Sequence, residues 1–113
     1  MQIDTRIVGE HLIVQTAISR LDAEVAMDFR QQMVDLVNQG HRKIVLNLSE
    51  VEFIDSSGLG AIVSVLKTMT RDQGELSVCN ANDSIMSMFR LTRMDKVFAM
   101  YADVKDALVA ISS

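Results

Sequence analysis

The run Lys43-Ile44-Val45-Leu46-Asn47-Leu48 constrains the fold more than any other part of the chain. It is nearly continuous in apolar residues and strand-sized, the pattern of a central strand buried on both faces. Such a strand cannot face water, so helices must cover the sheet on at least one side.

The flanking segments supply them. Ile3, Thr5 and Ile7 alternate with polar residues, Val8-Gly9-Glu10 turns the chain, and Leu12, Val14, Thr16 and Ile18 alternate again, predicting an antiparallel hairpin. From Asp22, expected as the N-cap, Val25, Phe29, Met33, Leu36 and Val37 recur at helical spacing until Gly40 stops the pattern. Leu59, Ile62, Val63, Leu66 and Met69 form a second stripe, within a helix-like segment from Ala61 to Thr70 that ends near Gly74. Glu75 to Cys79 reads as a strand, Asn82 or Asp83 caps a helix carrying Ile85, Met86 and Phe89, and Val97 to Tyr101 reads as another strand. Asp103 is expected to cap a last helix with Val104, Leu108 and Ile111 inward. Alternating strands and helices demand crossover connections, and so predict a mixed, mostly parallel sheet with an antiparallel first strand. The fold class is α/β.

Residues 1–113 suit one domain, because two cores would leave each half too small to bury enough surface. The chain contains no proline, no low-complexity segment and no internal repeat to divide it. A hydrophobic fraction of 49% with 23% charged residues gives a true core. With a net charge of −4, no basic cluster beyond Arg42-Lys43, and 4% aromatics, nucleic acid is not an expected partner. The single cysteine, Cys79, excludes an intramolecular disulfide and fits a reducing cytoplasm. Neither a signal-like start nor a membrane-length apolar run is present, so no membrane insertion is expected.

The segment carrying chemistry is Asp55-Ser56-Ser57-Gly58-Leu59-Gly60, at the junction between the central strand and the second helix. Alone, it reads as a capped helix start, with Asp55 or Ser56 accepting from first-turn amides and the glycines permitting a tight turn. A nucleophile elbow would need glycine two positions before its serine, where Ile54 or Asp55 stands. The two histidines, His11 and His41, fall in the hairpin and before the central strand, where each is expected at the surface and not as a catalytic base. Gly58-Leu59-Gly60 begins a dinucleotide fingerprint, yet the third glycine would fall at Val63. No phosphate loop accompanies it, and one cysteine with two distant histidines gives no metal-ligand spacing, so neither cofactor nor metal is expected. Cys79 reads as a small buried hydrophobe, and most of the eight methionines as core filler.

Phosphorylation of a serine here is chemically coherent. It would add roughly −1.5 to −2 charge beside uncharged Ile54, Leu59 and two glycines, inverting the character of the local surface. A phosphate at a helix N-terminus is tolerated by the fold, whereas burying the same dianion against a partner costs several kcal/mol, roughly enough to release it.

The stretch Val51-Glu52-Phe53-Ile54-Asp55-Ser56-Ser57-Gly58-Leu59-Gly60 resembles the signature of the STAS domain, the sulfate-transporter and anti-sigma-antagonist family, in its stand-alone anti-sigma factor antagonist form. The likeness extends over the opening hairpin, Leu21-Asp22-Ala23, the central run, and Leu91-Thr92-Arg93-Met94-Asp95-Lys96-Val97-Phe98. It implies a non-enzymatic switch. In such proteins the serine before the first glycine is phosphorylated by a partner that is both serine kinase and anti-sigma factor, and a PP2C-type serine phosphatase reverses the modification. Carried over, that residue is Ser57, with Ser56 as a second candidate and Asp55 shaping the turn. The implied partner surface joins the motif and its helix to the loop entering the first helix, and comprises Arg20, Leu21, Asp22, Ser56, Ser57, Gly58, Leu59 and Ile62. The chain carries Ser19, Arg20 and Arg93 near positions where the family often has glycine. Other relatives use the domain without covalent switching, as a subunit or scaffold of a transporter or signalling complex.

Overall fold

The central run becomes a strand with its two faces in different cores: Ile44 and Leu46 pack into a large cluster, while Val45 belongs to a smaller one. The computed structural model describes residues 2–112, with side chains as far as Ala110. In chain order the elements are β1 (Ile3–Val8), β2 (His11–Thr16), β3 (Arg20–Leu21), α1 (Ala26–Asn38), β4 (Lys43–Asn47), β5 (Phe53–Ile54), α2 (Ser56–Arg71), β6 (Glu75–Cys79), α3 (Asp83–Leu91), a short 3-10 turn (Met94–Lys96), β7 (Ala99–Tyr101) and α4 (Val104–Ser112). Five strands form one sheet in the order β1-β2-β4-β6-β7, antiparallel between β1 and β2 and parallel elsewhere. This is the predicted mixed α/β sheet with four helices.

The large core holds Phe29, Met33 and Val37 of α1 and Ile62, Val65 and Met69 of α2, together with Leu12, Val14, Leu46 and Val78 of the sheet, all buried. From α3 come Ile85 and Phe89, the latter meeting Phe98 edge-to-face at 5.6 Å between ring centroids. On the opposite face Ala107 of α4 packs on Ile13, Val45 and Cys79. Val104 and Leu108 lean on this second cluster as expected, while Ile111 lies outside the described side chains. Asn82, not Asp83, caps α3 by accepting from the Ile85 amide at 2.8 Å, and Asp103 accepts from Asp106 at 2.8 Å at the start of α4.

Four expectations are corrected. Asp22 does not cap α1: its carbonyl accepts from Val25 and Ala26 in a turn that precedes the helix, and the N-cap is Val25, which makes no side-chain bond. The strand expected from Val97 shortens to Ala99–Tyr101, because Met94–Lys96 coils first and leaves Val97 exposed. The second helix begins at Ser56, before Ala61, and its inward face is Leu59, Ala61, Ile62, Val65 and Met69, with Val63 and Leu66 only half-buried. Finally, His11 is buried at the start of β2, not at the surface.

Candidate functional site

After β2 and after β4, the chain leaves the carboxyl ends of neighbouring parallel strands and forms a second, two-stranded ladder: β3 pairs with β5, Arg20 opposite Phe53 and Leu21 opposite Ile54. This ladder brings the loop entering α1 against the start of α2, at the end of the sheet where open α/β folds place their sites. The amide of Glu52 donates to the Ser19 carbonyl at 2.7 Å, and Asn82 Nδ2 donates to the Glu52 carbonyl at 3.0 Å, pinning the connection from a third side.

Asp55 closes the junction. Its backbone is extended, its Oδ1 accepts from the Gly58 amide at 2.9 Å, and its Oδ2 accepts from the Ala23 amide at 3.2 Å. One carboxylate therefore caps α2 and holds the turn before α1. Gly58 sits in the first turn of α2 directly against the chain at Leu21. A Cβ there would collide with the Leu21 carbonyl oxygen and lie 2.9 Å from Ile54 Cγ1. This glycine serves close packing of backbone on backbone, not the tight turn expected from the sequence. Gly60 is different: a Cβ there would meet nothing within 4 Å.

Ser56 and Ser57 are both exposed in the first turn of α2. Only Ser57 lines the groove between α1 and α2, a cleft of about 320 Å³ shared with Ala23, Ala26, Met27, Arg30, Gly60, Ala61 and Ser64. Its floor is small and its rim is not: Met27 is 84% exposed, and Arg30 Nε donates to Ser64 Oγ at 2.7 Å. Beside it, the guanidinium of Arg20 stacks 4.3 Å from the Phe53 ring centroid and reaches Asp22 Oδ2 at 3.5 Å.

Of the residues assigned by resemblance to the partner surface, Arg20, Ser56 and Ser57 are exposed and Asp22 is half-buried. Leu21, Gly58, Leu59 and Ile62 are buried and cannot meet a partner directly; they hold the exposed ones from behind. The sequence reading missed Met27, Arg30, Ser64 and Phe53. A signal was present for two of them, since Met27 and Arg30 stand three apart along one flank of the apolar stripe, where a large apolar side chain is not needed by the core. His11 and His41 lie toward the amino ends of the parallel strands, away from Ser57, so the structure brings no imidazole to either serine. Among the described residues no group of acids, histidines and cysteines could hold a metal ion, and no helix is long and apolar enough to cross a membrane.

An anti-sigma F factor antagonist of Paenibacillus polymyxa is 30% identical over 101 residues, covering 88% of this chain and 86% of its own. The crystal structure of a Thermotoga maritima protein provisionally classed as an anti-sigma factor antagonist superposes with a TM-score of 0.88 at 29% identity, over 98% of this chain and 95% of that one. The Bacillus cell fate determinant SpoIIAA, solved in its phosphorylated form, shares the fold with a TM-score of 0.73 at 18% identity, over 97% of this chain and 99% of its own. The STAS domain family matches residues 2–107, from β1 into α4. With that span, the mixed sheet and the capped serine turn in agreement, the chain belongs to the STAS domain family.

Proposed function

We propose that this protein is a bacterial anti-sigma factor antagonist that works in the cytoplasm by binding, not catalysis, and that phosphate on Ser57 ends the binding. Its partner is an anti-sigma factor that is also a serine kinase, and a PP2C-type phosphatase restores the binding form. The observation that carries this reading is the position of Ser57: exposed, one residue before the buried Gly58, and on the wall of a groove of small and apolar residues whose one charged lining residue, Arg30, is engaged with Ser64. Ser56 shares the exposure without the groove, which makes it the secondary acceptor.

The mechanism follows from what each group is already doing. Asp55 spends both carboxylate oxygens on the Gly58 and Ala23 amides, so the turn is fixed before and after modification. A phosphate on Ser57 adds about two negative charges at a helix N-terminus, where the fold tolerates them. A partner lying over Met27 and the groove would have to desolvate that dianion, at a cost of several kcal/mol, on the order of a hundred-fold or more in affinity. Arg20, Asp22 and Phe53 extend the surface toward the α1 loop.

Incubation of the purified chain with its cognate serine kinase and magnesium-ATP, followed by intact-mass measurement and site mapping, tests the assignment. One phosphate on Ser57 is expected; Ser57→Ala should accept none, and Ser56→Ala should be labelled like the unaltered protein. Full labelling of Ser57→Ala at another residue would remove Ser57 from the switch.

A further inference from the structure

Strand β1 is an open edge of the sheet, six residues without a bulge in its register to β2. The four residues from Asp4 to Ile7 are all exposed, Ile7 to 69%. Natural edges of this kind are usually blunted by proline, a bulge or charged side chains, lysine above all. Here there is no proline, bulge or lysine, and the two charges the strand carries, Asp4 and Arg6, are of opposite sign.

The direction of each backbone group along this edge can be derived. The Ala17 amide donates to the Gln2 carbonyl at 3.2 Å, so by alternation Gln2, Asp4, Arg6 and Val8 bond to β2. The N–H and C=O groups of Ile3, Thr5 and Ile7 therefore point outward from the sheet.

We propose that β1 pairs antiparallel with β1 of a second copy of this chain, on a two-fold axis through Thr5. In that register Thr5 faces the partner's Thr5 and exchanges both outward hydrogen bonds with it. Ile3 faces the partner's Ile7, again with outward groups on both. On the opposite sheet face Asp4 stands against the partner's Arg6, and Arg6 against the partner's Asp4. Neither residue has an ion pair among the described residues of its own chain. Opposite charges, a threonine pair and aliphatic pairs directly across an antiparallel ladder are each stabilising.

Neighbouring two-fold registers fail on charge. An axis through Asp4 or through Arg6 sets like charges directly opposite each other, and one through Ile3 or Ile7 leaves both charges unpaired. The approach also covers apolar surface. Ile3 and Thr5 line a cleft of about 220 Å³ with Gln32, Asp35 and Leu36 of α1 and Gln39 just after it, and the partner's Ile7 would stand beside it. Contact confined to one six-residue edge strand per chain is small beside the roughly 1,000 Å² of a stable interface, so the expected association is weak and concentration-dependent. None of the β1 residues lines the groove beside Ser57, and the dimer leaves that site open.

Sedimentation of the full chain from about 10 μM to about 1 mM tests this. The unaltered protein should pass from monomer to dimer across the range. Asp4→Arg alone and Arg6→Asp alone should each weaken the dimer by about ten-fold or more, since both turn attraction into repulsion at two places. Mixing the two variants should restore it, because each then meets opposite charge. Circular dichroism controls for folding of each variant. A monomer at every concentration would overturn the proposal, and so would a dimer indifferent to both single changes or two variants that stay monomeric when mixed.

Discussion

Gly58 and Gly60 look interchangeable in the sequence and are not interchangeable in the fold. Gly58→Ala drives a methyl into the Leu21 carbonyl and Ile54, so it should destabilise the domain by about 2–3 kcal/mol or more, measured by urea denaturation. Gly60→Ala projects into open space within α2 and should raise stability by about 0.5–1 kcal/mol, because alanine restricts the unfolded chain and favours helix. Its new methyl lies at a position lining the groove beside Ser57, so the same variant should bind the anti-sigma partner more weakly while being more stable. Equal binding with higher stability would show that the groove floor does not touch the partner. The motif was legible as a capped turn, but which glycine was structural was not. That distinction depends on Leu21, thirty-seven positions away in sequence from Gly58 and brought there by the β3–β5 ladder.

At the level of elements, long periodic segments were legible and short ones were not. β1, β2, β4, β6 and four helices follow from alternation, apolar runs and caps read directly from the chain. β3 and β5 hold two residues each, too few to carry a period, and they exist because each offers the other a ladder. The rotation of α2 was ambiguous for a related reason: Leu59, Ala61, Ile62, Val63, Val65 and Leu66 are all apolar, an arc wider than the face the core can bury, so the pattern alone does not say which of them turn inward. Packing of Gly58 on Leu21 fixes it instead. The start of α1 was misread because an aspartate before a helical stripe is a good cap by type, whereas here its carbonyl and carboxylate serve a preceding turn. Asp55 ties these elements together, so Asp55→Ala should cost about 1–2 kcal/mol. Amide exchange should speed up in both the Ala23 turn and the first turn of α2. Loosening confined to α2 would mean the bond to Ala23 contributes nothing.

For the molecule as a whole, the second, smaller core sets a pH limit. Burial, with Asp103 adding repulsion, pushes the Cys79 thiol from 9.0 up to about 11. The folded state thus holds this proton more tightly than the unfolded chain, and the associated stability is complete below about pH 9 and lost as pH rises toward 11. The loss should approach 2–3 kcal/mol at about 1.4 kcal/mol per pH unit. Cys79→Ala should flatten this alkaline limb in denaturation curves, and the native thiol should resist alkylation at neutral pH. An unchanged limb in the variant would assign the alkaline loss to other groups.

The account rests on Ser57 changing what the surface can bind without changing the fold. Titration calorimetry of the proposed anti-sigma kinase partner against the unmodified chain, the chain phosphorylated on Ser57, and Ser57→Ala measures this directly. Ser57→Ala should bind like the unmodified protein, and the phosphorylated chain should bind at least about a hundred-fold more weakly, with unaltered circular dichroism. Equal affinity of the phosphorylated and unmodified chains would contradict it.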